Sequence, residues 1–202
     1  MAQLLYQGHS SFRLETRSGI VIYIDPYRGP GYDAKADLIL VTHDHFDHNR
    51  VDIVPNNEDC VVITFKEALT DGEYNSFEFE DVLIEAVPAY NKNHPRDCCV
   101  GYVLSVEGKS LYFPGDTGCI EEMKELSGRN IDIFFVPMDG VYTMDADEAR
   151  KACEAVNAKF IVPIHTAPQY QKEDDSLFDI EKAGSFDWDK KIVVKPGEYI
   201  VI

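Results

Sequence analysis

Leu38-Ile-Leu-Val-Thr-His-Asp-His-Phe-Asp-His48 runs from a short apolar stretch straight into three histidines and two aspartates. Leu38 to Val41 has the length and composition of a buried strand. The loop at the carboxyl end of such a strand lies at the sheet edge where α/β-type sites form. His43 and His45 are two residues apart and project to one side in extended backbone. Asp47 and His48 are adjacent and can face a neighbouring point, so the loop can hold two metal ions a few ångström apart. Neutral imidazole is the commonest metal ligand, and carboxylate completes a borderline-hard site. Asp44, between ligand positions, is expected to face away and brace the loop. A polar loop with surface histidines is the plainer alternative, and the preceding strand together with the H-x-H-x-D-H spacing argues against it.

Outward from this loop, the chain has three further histidines, His9, His94 and His165. His165 ends Phe160-Ile-Val-Pro-Ile-His. His94 follows the run Val82 to Tyr90 by a short loop, with Pro95 after it restricting it to extended backbone. His9 lies in Gly8-His9-Ser10-Ser11, which reads as the turn of a first hairpin. Each could instead be a histidine satisfied by nearby backbone. Leu111-Tyr-Phe-Pro-Gly-Asp-Thr117 is a second strand that runs into a carboxylate. Asp116 there could bridge two metals through both oxygens, with Gly115 permitting close backbone approach. Asp25, after Val21 to Ile24, is placed to orient a ligand histidine through its other ring nitrogen, or simply to start the turn before Pro26.

The rest of the chain is consistent with one globular domain over residues 1–202. Of its residues 45% are hydrophobic and 27% charged, which is ordinary for a folded protein and too apolar for a disordered one. Nineteen Lys plus Arg against 36 Asp plus Glu give a net charge of −17. Such a surface repels phosphate backbones and anionic lipid, so nucleic acid and membranes are not expected as partners. The five cysteines are odd in number and include no CxxC pair, which fits free thiols in a reducing cytoplasm. The first residues form no secretory signal and no apolar run reaches the length of a membrane span.

Strand-like runs recur at 20–24, 38–41, 60–64, 82–87, 100–106, 110–113, 131–136, 160–164, 191–194 and 199–202. Lys195-Pro-Gly-Glu198 is expected to close the last two as a hairpin. Asp145 with Glu148 three residues on reads as a capping box opening a helix that runs to Val156. Ile120 to Leu126 is a second short helix, and 49–54 and 65–69 form a turn or two each. Strands dominate the first half, strands and helices alternate in the second, and no internal repeat is visible. The acidic stretch Lys172 to Ser176 reads as a solvated loop.

Six pieces together resemble the metallo-β-lactamase superfamily: Gly8-His-Ser-Ser11, Ile24-Asp-Pro26, Thr42 to His48, Val87-Pro-Ala89, Gly115-Asp-Thr117 and Pro163-Ile-His165. The likeness is to its small single-domain metal-dependent hydrolases, related to the ascorbate-phosphate lactonase type. It implies an α/β (α+β) fold, a four-layer αββα sandwich with the site at one edge. It assigns His43, His45 and Asp116 to a first metal and Asp47, His48, Asp116 and His165 to a second. The family places one more histidine just after the strand ending near Ala89, where this chain has Tyr90-Asn91. His94 is taken for that ligand, with His9 as the substitute or else as a catalytic substrate-contacting or proton-transfer group; Asp47 is the other catalytic candidate.

The implied cofactors are two divalent ions, zinc favoured and manganese or iron as alternatives. A bridging water, made acidic by both cations, would attack a small ester, lactone or phosphoester. A di-iron redox protein of the same fold is the first rival, opposed by His45 standing where those relatives carry a carboxylate. A non-catalytic metal-binding module is the second, opposed by a ligand surplus that structural zinc does not need. Specificity is expected from the loops 90–99, 140–144 and 166–172, through Tyr90, Tyr142 and Tyr170.

Overall fold

The computed structural model describes residues 1–168 and 176–202. Residues 169–175, with Tyr170, part of the expected specificity segment 166–172 and most of the acidic stretch 172–176, lie outside the described residues. The strands are β1 (Gln3–Gly8), β2 (Ser11–Glu15), β3 (Val21–Ile24), β4 (Ala36–Leu40), β5 (Asn56–Ile63), a two-residue pair β6 (Leu69–Thr70) and β7 (Glu73–Tyr74), then β8 (Ser76–Phe79), β9 (Val82–Pro88), β10 (Val100–Val106), β11 (Lys109–Phe113), β12 (Ile133–Pro137), β13 (Phe160–Ile164) and β14 (Tyr199–Val201). They form two six-stranded sheets, β14-β1-β2-β3-β4-β5 and β13-β12-β11-β10-β9-β8.

Each sheet has the same series of pairings, three antiparallel and then two parallel. In the first, β1, β3 and β4 therefore run the same way; in the second, β9, β11, β12 and β13 do. This shared polarity decides where chemistry can collect, because these strands deliver the loops after their carboxyl ends to one edge of each sheet.

The sheets pack face to face through one continuous apolar core. Phe12, Phe113 and Phe135 meet at its centre, with ring centroids 4.5–5.3 Å apart. The outer face of the second sheet is covered by α2 (Ala146–Val156) and by a 3-10 helix, Glu121–Arg129. Ala149, Ala152, Cys153 and Val156 are the face that α2 buries, and the Asp145–Glu148 capping box is formed at its start. The outer face of the first sheet carries a thinner cover. Tyr23, Ala36, Ile39 and Val41 pack there with Val54, from beside the one-turn 3-10 helix Val51–Ile53. The remaining helices are α1 (Phe65–Ala68) and α3 (Ile180–Ser185). This is the αββα order, with unequal outer layers.

The chain differs from its sequence reading at the carboxyl end. The Lys195–Glu198 turn forms, with Glu198 N donating to Lys195 O at 3.0 Å, but it does not close a hairpin. Residues 191–194 are not a strand: Lys191 makes an isolated bridge to Ile161, beside β13, whereas β14 pairs with β1. The segment crosses from one sheet to the other, and two strands in different sheets cannot pair with each other. α3 and the short strands β6, β7 and β8 were not legible, being brief and only partly buried.

Candidate metal centre

Seven strand ends supply the site. His9 follows β1, Asp25 follows β3 and residues 43–48 follow β4; His94 lies in the loop after β9, Asp116 after β11, Asp139 after β12 and His165 directly after β13. His9, Asp25 and His165 all adopt left-handed backbone, with φ of 54°, 45° and 45°. That conformation costs a non-glycine residue free energy and persists only where surrounding contacts impose it.

The side chains fall into overlapping groups whose ligand atoms all lie within 4.8 Å of one another: His43, His45 and His94; His43, His48 and Asp116; and His9, Asp47, His48 and His165. Asp116 sits between them. Its Oδ1 is 3.3 Å from His48 Nε2, and its Oδ2 is 3.3 Å from His165 Nε2 and 3.5 Å from His94 Nε2. Gly115 must be small here, because a Cβ on it would lie 2.9 Å from the Thr42 side chain and 3.0 Å from Val100 O.

Three imidazoles, His48, His43 and His94, are fixed through Nδ1, which turns Nε2 toward the centre, and the Nδ1 of a fourth, His165, faces a carboxylate. His48 Nδ1 donates to Asp25 Oδ2 at 2.9 Å. Thr42 Oγ1 donates to Asp25 Oδ2 at 2.7 Å, so its lone pair is left to accept from His43 Nδ1 at 3.0 Å. His94 Nδ1 faces Asn91 Oδ1 at 3.0 Å, and His165 Nδ1 lies 3.1 Å from Asp139 Oδ2. Asp25 therefore takes the orienting place expected of it. Asp139 was missed in the sequence. Its Oδ1 accepts from the backbone N–H groups of Val141, Tyr142 and Thr143, which aims Oδ2 at His165. The available signal was the strand Ile133–Pro137 running into Met-Asp-Gly, much as Lys109–Phe113 runs into Pro-Gly-Asp.

His43 Nε2, His48 Nε2, His165 Nε2 and Asp116 Oδ1 are buried and have no hydrogen-bond partner. Buried polar atoms are nearly always satisfied. Four that converge on one space, His43 and His48 fixed from behind, are the donor set of a cation, and three imidazoles with carboxylates suit zinc, manganese or iron.

Electrostatics point the same way. Burial alone would lower the His165 imidazole, but Asp116 and Asp139 outweigh it and raise it to about 10. His48 is likewise held well above its usual value by Asp116 and Asp25 despite its burial. Burial would raise Asp116, yet His165 and His48 hold it well below the carboxylate range.

His45 is exposed and His94 buried, and both border a cavity of about 420 Å³ with Phe46, Asp47, Asn93, Asp116 and Tyr142. Asp44 faces away and accepts from Asn49, as expected. His94, not His9, stands with His43 and His45. His9 is absent from the cavity wall and fully buried, its Nε2 3.2 Å from Asp47 Oδ2. Of this pair, Asp47 lines the cavity and His9 stands beside it away from the wall.

A family profile described as a β-lactamase superfamily domain matches residues 3–165. A UPF0173 metal-dependent hydrolase from Geobacillus thermodenitrificans is 33% identical over 192 residues, covering 81% of this chain and 84% of that one. One from Nanoarchaeum equitans is 30% identical and covers 99% of this chain and 96% of its own. Among solved structures, a protein from Parabacteroides distasonis assigned as a metal-dependent hydrolase superposes with a TM-score of 0.73 at 28% identity, covering 94% of this chain and 91% of that one. With the two sheets, the strand-end histidines and these relatives taken together, the chain belongs to the metallo-β-lactamase superfamily, among its metal-dependent hydrolases.

Proposed function

We propose that the chain is a dinuclear hydrolase of small neutral acyl substrates, esters or lactones in preference to phosphoesters. The observation that carries the metal reading is the convergence of unpartnered buried His43, His48 and His165 Nε2 with Asp116 Oδ1. His43, His45, His94 and Asp116 would hold the outer ion, and Asp47, His48, His165 and Asp116 the deeper one. When bound, the ions supply Lewis acidity to the substrate oxygen and acidify water near neutral pH.

The chain's own residues do the rest. Asp47 lines the cavity wall, its Oδ2 3.2 Å from His9 Nε2, and would orient the attacking water. Phe46 and Tyr142 offer apolar faces to the acyl group, and Asn93 a polar one at the mouth. Among the described residues that line this cavity there is no lysine or arginine. A phosphoester carries its charge through the transition state and gains from such cations. A neutral acyl group does not need them, and that favours the ester or lactone.

A reconstituted protein offered neutral lactones, aryl esters and phosphodiesters tests this reading. Turnover of the acyl compounds, abolished by chelation, is the expected outcome. Phosphodiester turnover exceeding all of them would overturn the substrate class.

A further inference from the structure

The deep group of ligand atoms contains one imidazole more than the expected assignment uses. His9, Asp47, His48 and His165 are all buried and all within reach of one ion. The His9 ring centroid is 3.7 Å from that of His165 and 5.3 Å from that of His48. His9 Nε2 lies 3.2 Å from Asp47 Oδ2, while its Nδ1 is buried without a partner.

The backbone holds this residue unusually firmly. His9 N donates to Leu177 O at 2.7 Å, and His9 O accepts from His165 N at 2.9 Å and from the Tyr6 hydroxyl at 3.0 Å. The two imidazoles are thus clamped together through the main chain, at a pair of residues that both carry positive φ. A hydrogen bond to Asp47 alone would not call for strain at both positions.

We propose that His9 is a ligand of the deeper ion. This rests on the dinuclear reading above. That ion is then held by five side chains, His9, Asp47, His48, His165 and Asp116, and the outer ion by four, one of them the exposed His45. The deeper ion is then closed off by protein ligands, whereas the outer ion, with His45, His94 and Asp116 on the cavity wall, is the one a substrate reaches by expanding its coordination. The two ions consequently have different work and different lifetimes. The deep one is slow to leave and, with three nitrogen and two carboxylate ligands, accepts manganese or iron as well as zinc. The outer one exchanges readily and meets the substrate.

Cobalt(II) is the probe. The full chain is loaded with cobalt alone, its ions counted, their release to a chelator timed, and hyperfine-shifted imidazole N–H resonances recorded. Wild type is expected to release one ion fast and one slowly. The variant is His9→Asn, because asparagine tolerates left-handed backbone where alanine is strained; thermal unfolding of the metal-free proteins checks that it folds. His9→Asn should speed loss of the slow ion at least about tenfold, leave the fast ion unchanged, and remove a shifted imidazole resonance. His9→Gln, tested alongside, should show the same losses if asparagine fails to fold. Two ions released at wild-type rates, with every shifted resonance retained, would overturn the ligand role and leave the dinuclear reading standing. A wild-type protein that takes up no cobalt would overturn both.

Discussion

His165 stands between the carboxylates of Asp116 and Asp139, and that position sets how the site responds to pH. Its imidazole is raised from 6.5 to about 10, and His48 is held high as well. In the metal-free protein both are therefore protonated at neutral pH. An ion on either Nε2 must displace that proton, so loading at pH 7 is expected to release about two protons per chain. Calorimetry in buffers of differing ionisation enthalpy measures this; release near zero would mean that these nitrogens are not ligands. The sign for stability follows. A group whose folded value is raised contributes stability below pH 6.5 that disappears as pH climbs toward about 10. The metal-free protein should weaken across that window in thermal unfolding, while metal affinity should increase over the same range.

The elements that build the site are strand ends, and their spacing depends on close backbone approach at Gly115. This residue has φ of 64°, and a Cβ there would strike Thr42, whose hydroxyl links Asp25 to His43. Gly115→Ala should cost about 2–4 kcal/mol, from left-handed strain plus overpacking, and should lower metal affinity as well. Gly108→Ala is the control. It has φ of 78° but no neighbour within 4 Å, in the turn between β10 and β11, and should cost strain alone with metal binding intact. Denaturant titration with metal competition separates the two; equal metal loss in both variants would refute the link.

Elements of this kind were legible in the sequence wherever local chemistry was strong. Val100 to Val106 and Phe160 to Ile164 read as strands because they are β-rich and bounded by turns, and Asp145 with Glu148 marked α2. The Thr42–His48 loop announced itself by its spacing directly after an apolar strand. Asp139 did not, because a single Asp after a strand is common, and only the approach of β12 to β13 brings it beside His165. The partnership of His9 with Asp47 was equally hidden, since 38 residues separate them. The pairing of β14 with β1 joins the two ends of the chain, and no local pattern encodes it.

At the scale of the whole molecule, metal and fold support each other. The chain carries a net charge of −17, and the centre lies between two sheets that its residues join. His165 N bonds to His9 O, and Val100 N to Thr42 O, so strands of the two sheets are tied at the edge where the ligands stand. Among the described residues no helix is long and apolar enough to cross a membrane. Ligands that bind only the folded state stabilise it by mass action, by about 4 kcal/mol at a thousandfold excess over Kd. For a chain of this size that corresponds to roughly 10 °C in Tm. Chelation should lower Tm by about that much and zinc or manganese should restore it; an unchanged Tm would separate the metals from the fold.

The central claim is that two ions share this centre through Asp116. Elemental analysis after chelation, reconstitution with zinc or manganese and removal of free metal tests it most directly. The account requires about two ions per chain. One ion per chain, or none, with either metal, would contradict it.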